Sequence, residues 1–171
     1  MEPTLNMYDE IKENFEGKIP PFLKAIGEAD QALLRVVWSS YKRVLFHESE
    51  LLNKRTKCMM LFETVRGHSK CQACADMHID TLREIGLGQD AIDELRSDFS
   101  ASRLLDEETK NILIFTLYLS GFDSKSVEKM DNRMLEGFQK LVGKNKLTEI
   151  ILLVATSKNM QDFIHLSQVG H

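Results

Sequence analysis

Two runs, NILIFTLYL (111–119) and EIILLVAT (149–156), are apolar on nearly every face and constrain the fold more than anything else in the chain. A segment of this kind must be buried, because no orientation of a strand or helix shows water a polar side. Period alone does not separate strand from helix in so short a run. The flanks do: DEETK ahead of the first supplies a capping aspartate and first-turn acids, and Gly121 supplies a stop. Both runs are therefore expected to be helices. In a chain of 171 residues, two such helices imply a core and an oligomer interface as well.

Other segments follow the same pattern. Helices are expected over 5–16 (closed by Gly17), 30–47, 53–66, 70–85 (stopped at Gly86) and 89–98. In the second of these Leu33, Leu34, Val37, Trp38 and Tyr41 face inward as core, and in the last Ile92 and Leu95 are buried. Pro20 and Pro21 break the chain between the first two. With only three prolines and no linker or low-complexity segment, residues 1–171 are expected to form one all-α domain. The net charge of −4 argues against nucleic-acid or anionic-membrane partners. No apolar run has the length of a membrane span, and the acidic start is not a signal peptide.

An internal repeat is visible. LLNKRTKC (51–58) and LLDEETKN (104–111) align at an offset of 53, each placing Asn53 or Asp106 as a helix N-cap. Gly86 before AIDEL is echoed by Gly143 before LTEII. Two similar helical units packed together are expected.

The chemistry concentrates in GHSKCQACADMH (67–78). Gly67 suits a left-handed helix end, and Ser69 with Gln72 reads as a capping box opening the next helix. Cys71 then lies in the first turn, where free N–H groups and the helix dipole favour a thiolate. Cys74 is one turn on, and His78 is four residues later on the same face. Helical cysteines three apart have Cα atoms roughly 5 to 6 Å apart, inside the disulfide window. A closable dithiol with an imidazole within reach is a redox site. With one close pair among three cysteines, the chain fits a reducing cytoplasm better than a secreted disulfide scaffold. The competing readings are two inert buried cysteines and a zinc site of His68, Cys71, Cys74 and His78. On one continuous helix residues 68 and 78 stand about 15 Å apart, too far to share a metal. Glu63 reads as a solvated helix residue and Cys58 as core. His47, His165 and His171 read as surface or capping groups.

Cys71, Cys74 and His78, set among GKIPPFLKAIGEADQALL, LDEETKNILIF and LTEIILLVATSKNMQDF, resemble the thiol-peroxidase branch of the alkyl hydroperoxidase D and carboxymuconolactone decarboxylase superfamily. The resemblance covers most of the chain and implies an all-α bundle assembled as a homotrimer or homohexamer. It implies a peroxidatic Cys74, a resolving Cys71 and His78 as relay base, with no cofactor or metal. The substrate would be a peroxide or disulfide, and the reductant a thiol, thioredoxin-like or lipoyl-bearing. The family relay also includes a glutamate, but Met59 stands at that spacing, with Cys58 beside it and Glu63 later. A hairpin turning near residue 68 sets His78 opposite 58 and 59, so Cys58 rather than Glu63 is expected in the glutamate's place; a thiol there is a weak base at neutral pH. Thiol–disulfide exchange, a redox sensor and a lactone-directed lyase are the alternatives, the last needing no thiols.

Overall fold

The computed structural model describes residues 7–15, 17–121 and 132–168. All regular structure among them is helical: α1 (Met7–Asn14), α2 (Pro21–Ala29), α3 (Gln31–Tyr41), α4 (Lys54–Gly67), α5 (Gln72–Glu84), α6 (Gln89–Ser97), α7 (Glu107–Ser120), α8 (Asn132–Val142) and α9 (Lys144–Gln168). A π-helical turn, Lys42–Phe46, continues α3, and a 3-10 turn, Phe99–Ala101, follows α6.

The bundle is built around α4. Every residue from Thr56 to Val65 is buried, because α5, α7, α9 and the π-turn close on it from all sides. Its start is set locally. The Asn53 side chain accepts the Thr56 N–H at 2.9 Å, and Asp106 does the same for Thr109 at 2.7 Å at the head of α7. The helices α4 and α7, both of 14 residues, begin on these matched caps and pack against each other. Gly86 and Gly143, the other matched pair, both take φ 82.

Gly67 ends α4 as expected, but not by a left-handed turn. The positive φ falls instead on Lys70, at 54°. Gly67 is needed for close approach, since a Cβ there would lie 2.1 Å from Ser120 Oγ and 3.1 Å from Ser120 Cβ on α7. Gly67→Ala is expected to destabilise the fold by about 1–3 kcal/mol through overpacking. Ser120→Gly in the same chain should recover most of that loss in urea titrations. An alanine at 67 tolerated without cost would show that α4 and α7 can part freely.

Three other expectations change. Pro20 and Pro21 do not merely break the chain: Pro21 occupies the first position of α2, where a missing N–H costs nothing, and Phe22, Leu23 and Ile26 of that helix are core. In α3, Leu34 and Trp38 are buried and Val37 and Tyr41 partly so, but Leu33 is exposed. The two apolar runs are buried only in part within the chain. Leu113, Phe115, Ile150 and Leu153 are core, whereas Ile114 and Leu152 stay half exposed. Ile92 and Leu95 are fully buried, as expected.

Candidate functional site

The helices α4 and α5 form an antiparallel pair joined by His68–Cys71. The end of α4 is closed by the His68 N–H on Thr64 O at 2.9 Å and the Lys70 N–H on Val65 O at 2.8 Å. The residue capping α5 is Cys71, not Ser69: its Sγ accepts the Cys74 N–H at 3.4 Å, while Ser69 Oγ accepts the Cys71 N–H. Gln72 turns to Asp76 instead of reaching back. The cap is therefore displaced by two residues and no capping box forms, because the left-handed Lys70 delays the first turn. Cys71 and Cys74 are joined as a disulfide across that turn, with Cα atoms 5.3 Å apart, and both are half-buried against the core.

His78 lies on the core face of α5 with Ala75, Ile79 and Leu82. The Cys58 thiol donates to the His78 carbonyl oxygen at 3.3 Å, which fixes the hairpin register at the expected position. That bond is to the main chain and not to the imidazole. Burial pushes the Cys58 thiol up to about 12, with Lys54 opposing, so at neutral pH it is a donor and not a base. Burial also holds His78 down at about 4, leaving a neutral ring whose Nε2 has no hydrogen-bond partner among the described residues.

Glu63 is not solvated. It is completely buried, and burial raises its carboxyl to about 7 against the opposing Arg66 charge, 3.2 Å away. The guanidinium of Arg66 in turn donates to the carbonyls of Leu95 and Arg96 at the end of α6. The available signal in the sequence was the continuous apolar stretch CMMLF (58–62) directly before Glu63; in the structure every residue from Thr56 to Val65 is buried. His68 is occupied at α9, its Nε2 2.7 Å from Asp162 Oδ1. Among the described residues no three His, Cys, Asp or Glu side chains gather as a metal site.

A cavity of about 980 Å³ opens beside α5. Phe15, Ile19, Leu45, Phe46, Leu61 and Met77 form its apolar walls, and Cys58 and His78 also line it. Trp38 and Tyr41 do not line it; Trp38 packs behind Phe15 and Phe46.

No family model, curated protein or solved structure matches the chain. No described helix is long and apolar enough to cross a membrane.

The buried titratable groups make stability depend on pH with opposite signs. His78 resists a proton that the unfolded chain accepts near 6.5, so its stabilisation is full above that pH and is lost as pH falls toward 4. Glu63 stays protonated where the unfolded chain ionises near 4.5, so its stabilisation is full below that pH and is lost as pH rises toward 7. Between about 4.5 and 6.5 the two slopes oppose. Glu63→Gln should leave the His78 slope uncovered, adding up to about 1.4 kcal/mol of stability per pH unit across that window relative to the parent. Urea unfolding at pH 5 and 6.5 measures it; parallel profiles for parent and variant would show that Glu63 is not the titrating group.

Proposed function

We propose that this protein is a thiol oxidoreductase of the alkyl hydroperoxidase D type, reducing hydroperoxides through Cys74 and Cys71. The observation that carries it is the Cys71–Cys74 pair closed across the first turn of α5, four residues before a buried neutral histidine on the same helix. In the cycle the Cys74 thiolate attacks the peroxide oxygen, the O–O bond breaks, and the alcohol leaves with a proton. Cys74 is then a sulfenic acid; the Cys71 thiol displaces water from it and forms the disulfide. An external dithiol, thioredoxin-like or lipoyl-bearing, takes the oxidation and returns both thiols. His78 is the relay base by resemblance to the family; it is uncharged at neutral pH, and the burial that holds it down at about 4 makes it a weak base for the Cys74 proton. Cys58, held protonated, is left a structural donor instead of the glutamate's substitute.

The capping bond at Cys71 favours a second activity, thiol–disulfide exchange. A helix N-terminus stabilises a thiolate at the cap, and Cys71 Sγ accepts the Cys74 N–H there. In that reaction Cys71 attacks a disulfide substrate and Cys74 resolves it.

The matched caps and lengths of α4 and α7 support two related helical units, of which the first carries the thiols. The exposed Ile114 and Leu152 support an interface between copies, which the family resemblance makes a homotrimer or homohexamer, with the cytoplasm supplying the reductant. Light scattering reads the assembly. The chemistry is tested by thiol titration and peptide mapping before and after one equivalent of hydroperoxide. Loss of two thiols with a dithiothreitol-reducible Cys71–Cys74 peptide is expected; three titratable thiols throughout would reject it.

A further inference from the structure

The cavity beside α5 is separate from the dithiol. Ala73, Met77 and His78 of α5 line it, and neither Cys71 nor Cys74 does. Its walls come from five parts of the chain: the end of α1 and the following loop, the first residue of α2, the π-turn, α4 and α5. The π-turn places both Leu45 and Phe46 in the wall, closed by the His47 N–H on Lys42 O at 3.0 Å. Single π-turns of this sort recur at functional sites. The volume is that of a pocket for a small organic molecule.

The lining says what such a molecule must be. Phe15, Ile19, Leu45, Phe46, Leu61 and Met77 require an apolar body. Charge selects nothing. Of the acids in the lining, Asp76 is paired with Arg96 and Asp80 with Arg83. Glu13 and Glu84 remain against Lys18 and Lys54, two of each sign. Inside, the Cys58 thiol is already committed to the His78 carbonyl. That leaves the imidazole of His78, 3% exposed, its Nε2 buried and without a partner among the described residues. A buried polar atom left unpaired is costly, and a ligand supplying its missing partner recovers that cost. Because Nε2 is closed to solvent, a head group reaches it only when a neighbouring side chain shifts, and Met77, next in sequence and in the same wall, is the adaptable one.

We infer that this cavity is a binding site for a neutral amphipathic alcohol, its apolar chain against Phe15 and Phe46 and its hydroxyl donating to His78 Nε2. The site does not rest on the thiol chemistry proposed above. Burial keeps His78 neutral through physiological pH, so one ring nitrogen is an acceptor throughout that range, and the bond uses the tautomer with its proton on Nδ1.

Trp38 is the sole tryptophan, and its ring lies 6.0 Å from those of Phe15 and Phe46, so its emission reports on the cavity. The probes are 1-octanol and its isomer 1-methoxyheptane, which has the same heavy atoms but no donor. A saturable change in Trp38 emission is expected with the alcohol, and binding about tenfold weaker with the ether, the worth of one hydrogen bond. His78→Phe should erase the difference between the two probes. Ala73→Phe, at an exposed position in the lining, should weaken both probes and keeps the test valid if His78→Phe does not fold. The Cys71→Ser/Cys74→Ser chain should bind 1-octanol like the parent. No saturable change, equal affinity for alcohol and ether, or indifference to Ala73→Phe would each overturn the assignment. Loss of binding in the double serine chain would overturn the separation of this cavity from the dithiol, whereas normal binding by a chain that never oxidises would fault only the redox proposal.

Discussion

Cys74→Ser is expected to lower hydroperoxide turnover by roughly a thousandfold or more, the scale of losing a covalent nucleophile. A serine hydroxyl is not ionised at neutral pH and does not form the sulfenic acid on which the cycle depends. Cys71→Ser should behave differently. Cys74 would still be oxidised once, but without its neighbour across the turn the sulfenic acid has no resolving thiol. A single stoichiometric reaction and a dimedone adduct on the Cys74 peptide are expected, with no steady-state turnover. The same pair of variants separates the two activities. If disulfide exchange dominates, the trapped mixed disulfide appears on Cys71 in the Cys74→Ser chain, because the capping position favours that thiolate. Full peroxidase activity in the Cys74→Ser chain would sink the peroxidatic assignment.

Lys57→Ala is expected to produce the largest loss of stability, about 3 kcal/mol. Lys57 is almost fully buried, with Nζ 2.7 Å from Glu149 Oε1 on α9, and it also donates to Val44 O of the π-turn at 3.2 Å. Glu149 additionally accepts Ser49 Oγ at 2.8 Å. One ammonium thus ties α4 to α9 and to the π-turn that walls the cavity. Alanine strands a mostly buried carboxylate and leaves a carbonyl without its donor. For a chain this long the midpoint should fall by roughly 6–12 °C. Replacing both partners with apolar residues, Lys57→Met with Glu149→Leu, should recover most of the loss, since the penalty comes from the unpaired charge. A single-variant loss below about 1 kcal/mol would put Lys57 in the class of surface pairs.

Much of the architecture was legible residue by residue. The caps at Asn53 and Asp106, the stop near Gly86 and the 14-residue lengths of α4 and α7 follow from local hydrogen bonds and their periodicity. The hairpin register that sets Cys58 against His78 was also legible, because two helices joined by a short turn must run back along each other. The helix α2 was hidden because a proline pair breaks a helix from within and opens one from its first position, with the same letters. Ser69 and Gln72 looked like a cap, and only the left-handed Lys70 moved the helix start to Cys71. Leu33 and Glu63 were placed on the wrong sides. Leu33 lies on α3, which packs chiefly on its sequence neighbours α2 and the π-turn, and Glu63 lies on α4, which distant helices help to cover on every side.

What the sequence determined by itself is the all-helical class, the helix limits set by side-chain caps, and the closable Cys71–Cys74 pair. These rest on contacts within about one helical turn, which any folded form of the segment makes. The tertiary structure decided the protonation of the buried groups. Cys58 is pushed up to about 12, Glu63 up to about 7 and His78 down to about 4, in each case chiefly through lost water. It also decided that a cavity should meet one side of α5 apart from the sulfurs. Desolvation is the work of whatever packs around a group, and for α4 those neighbours include α7 and α9, tens of residues away along the chain, with α4 itself packed on α5.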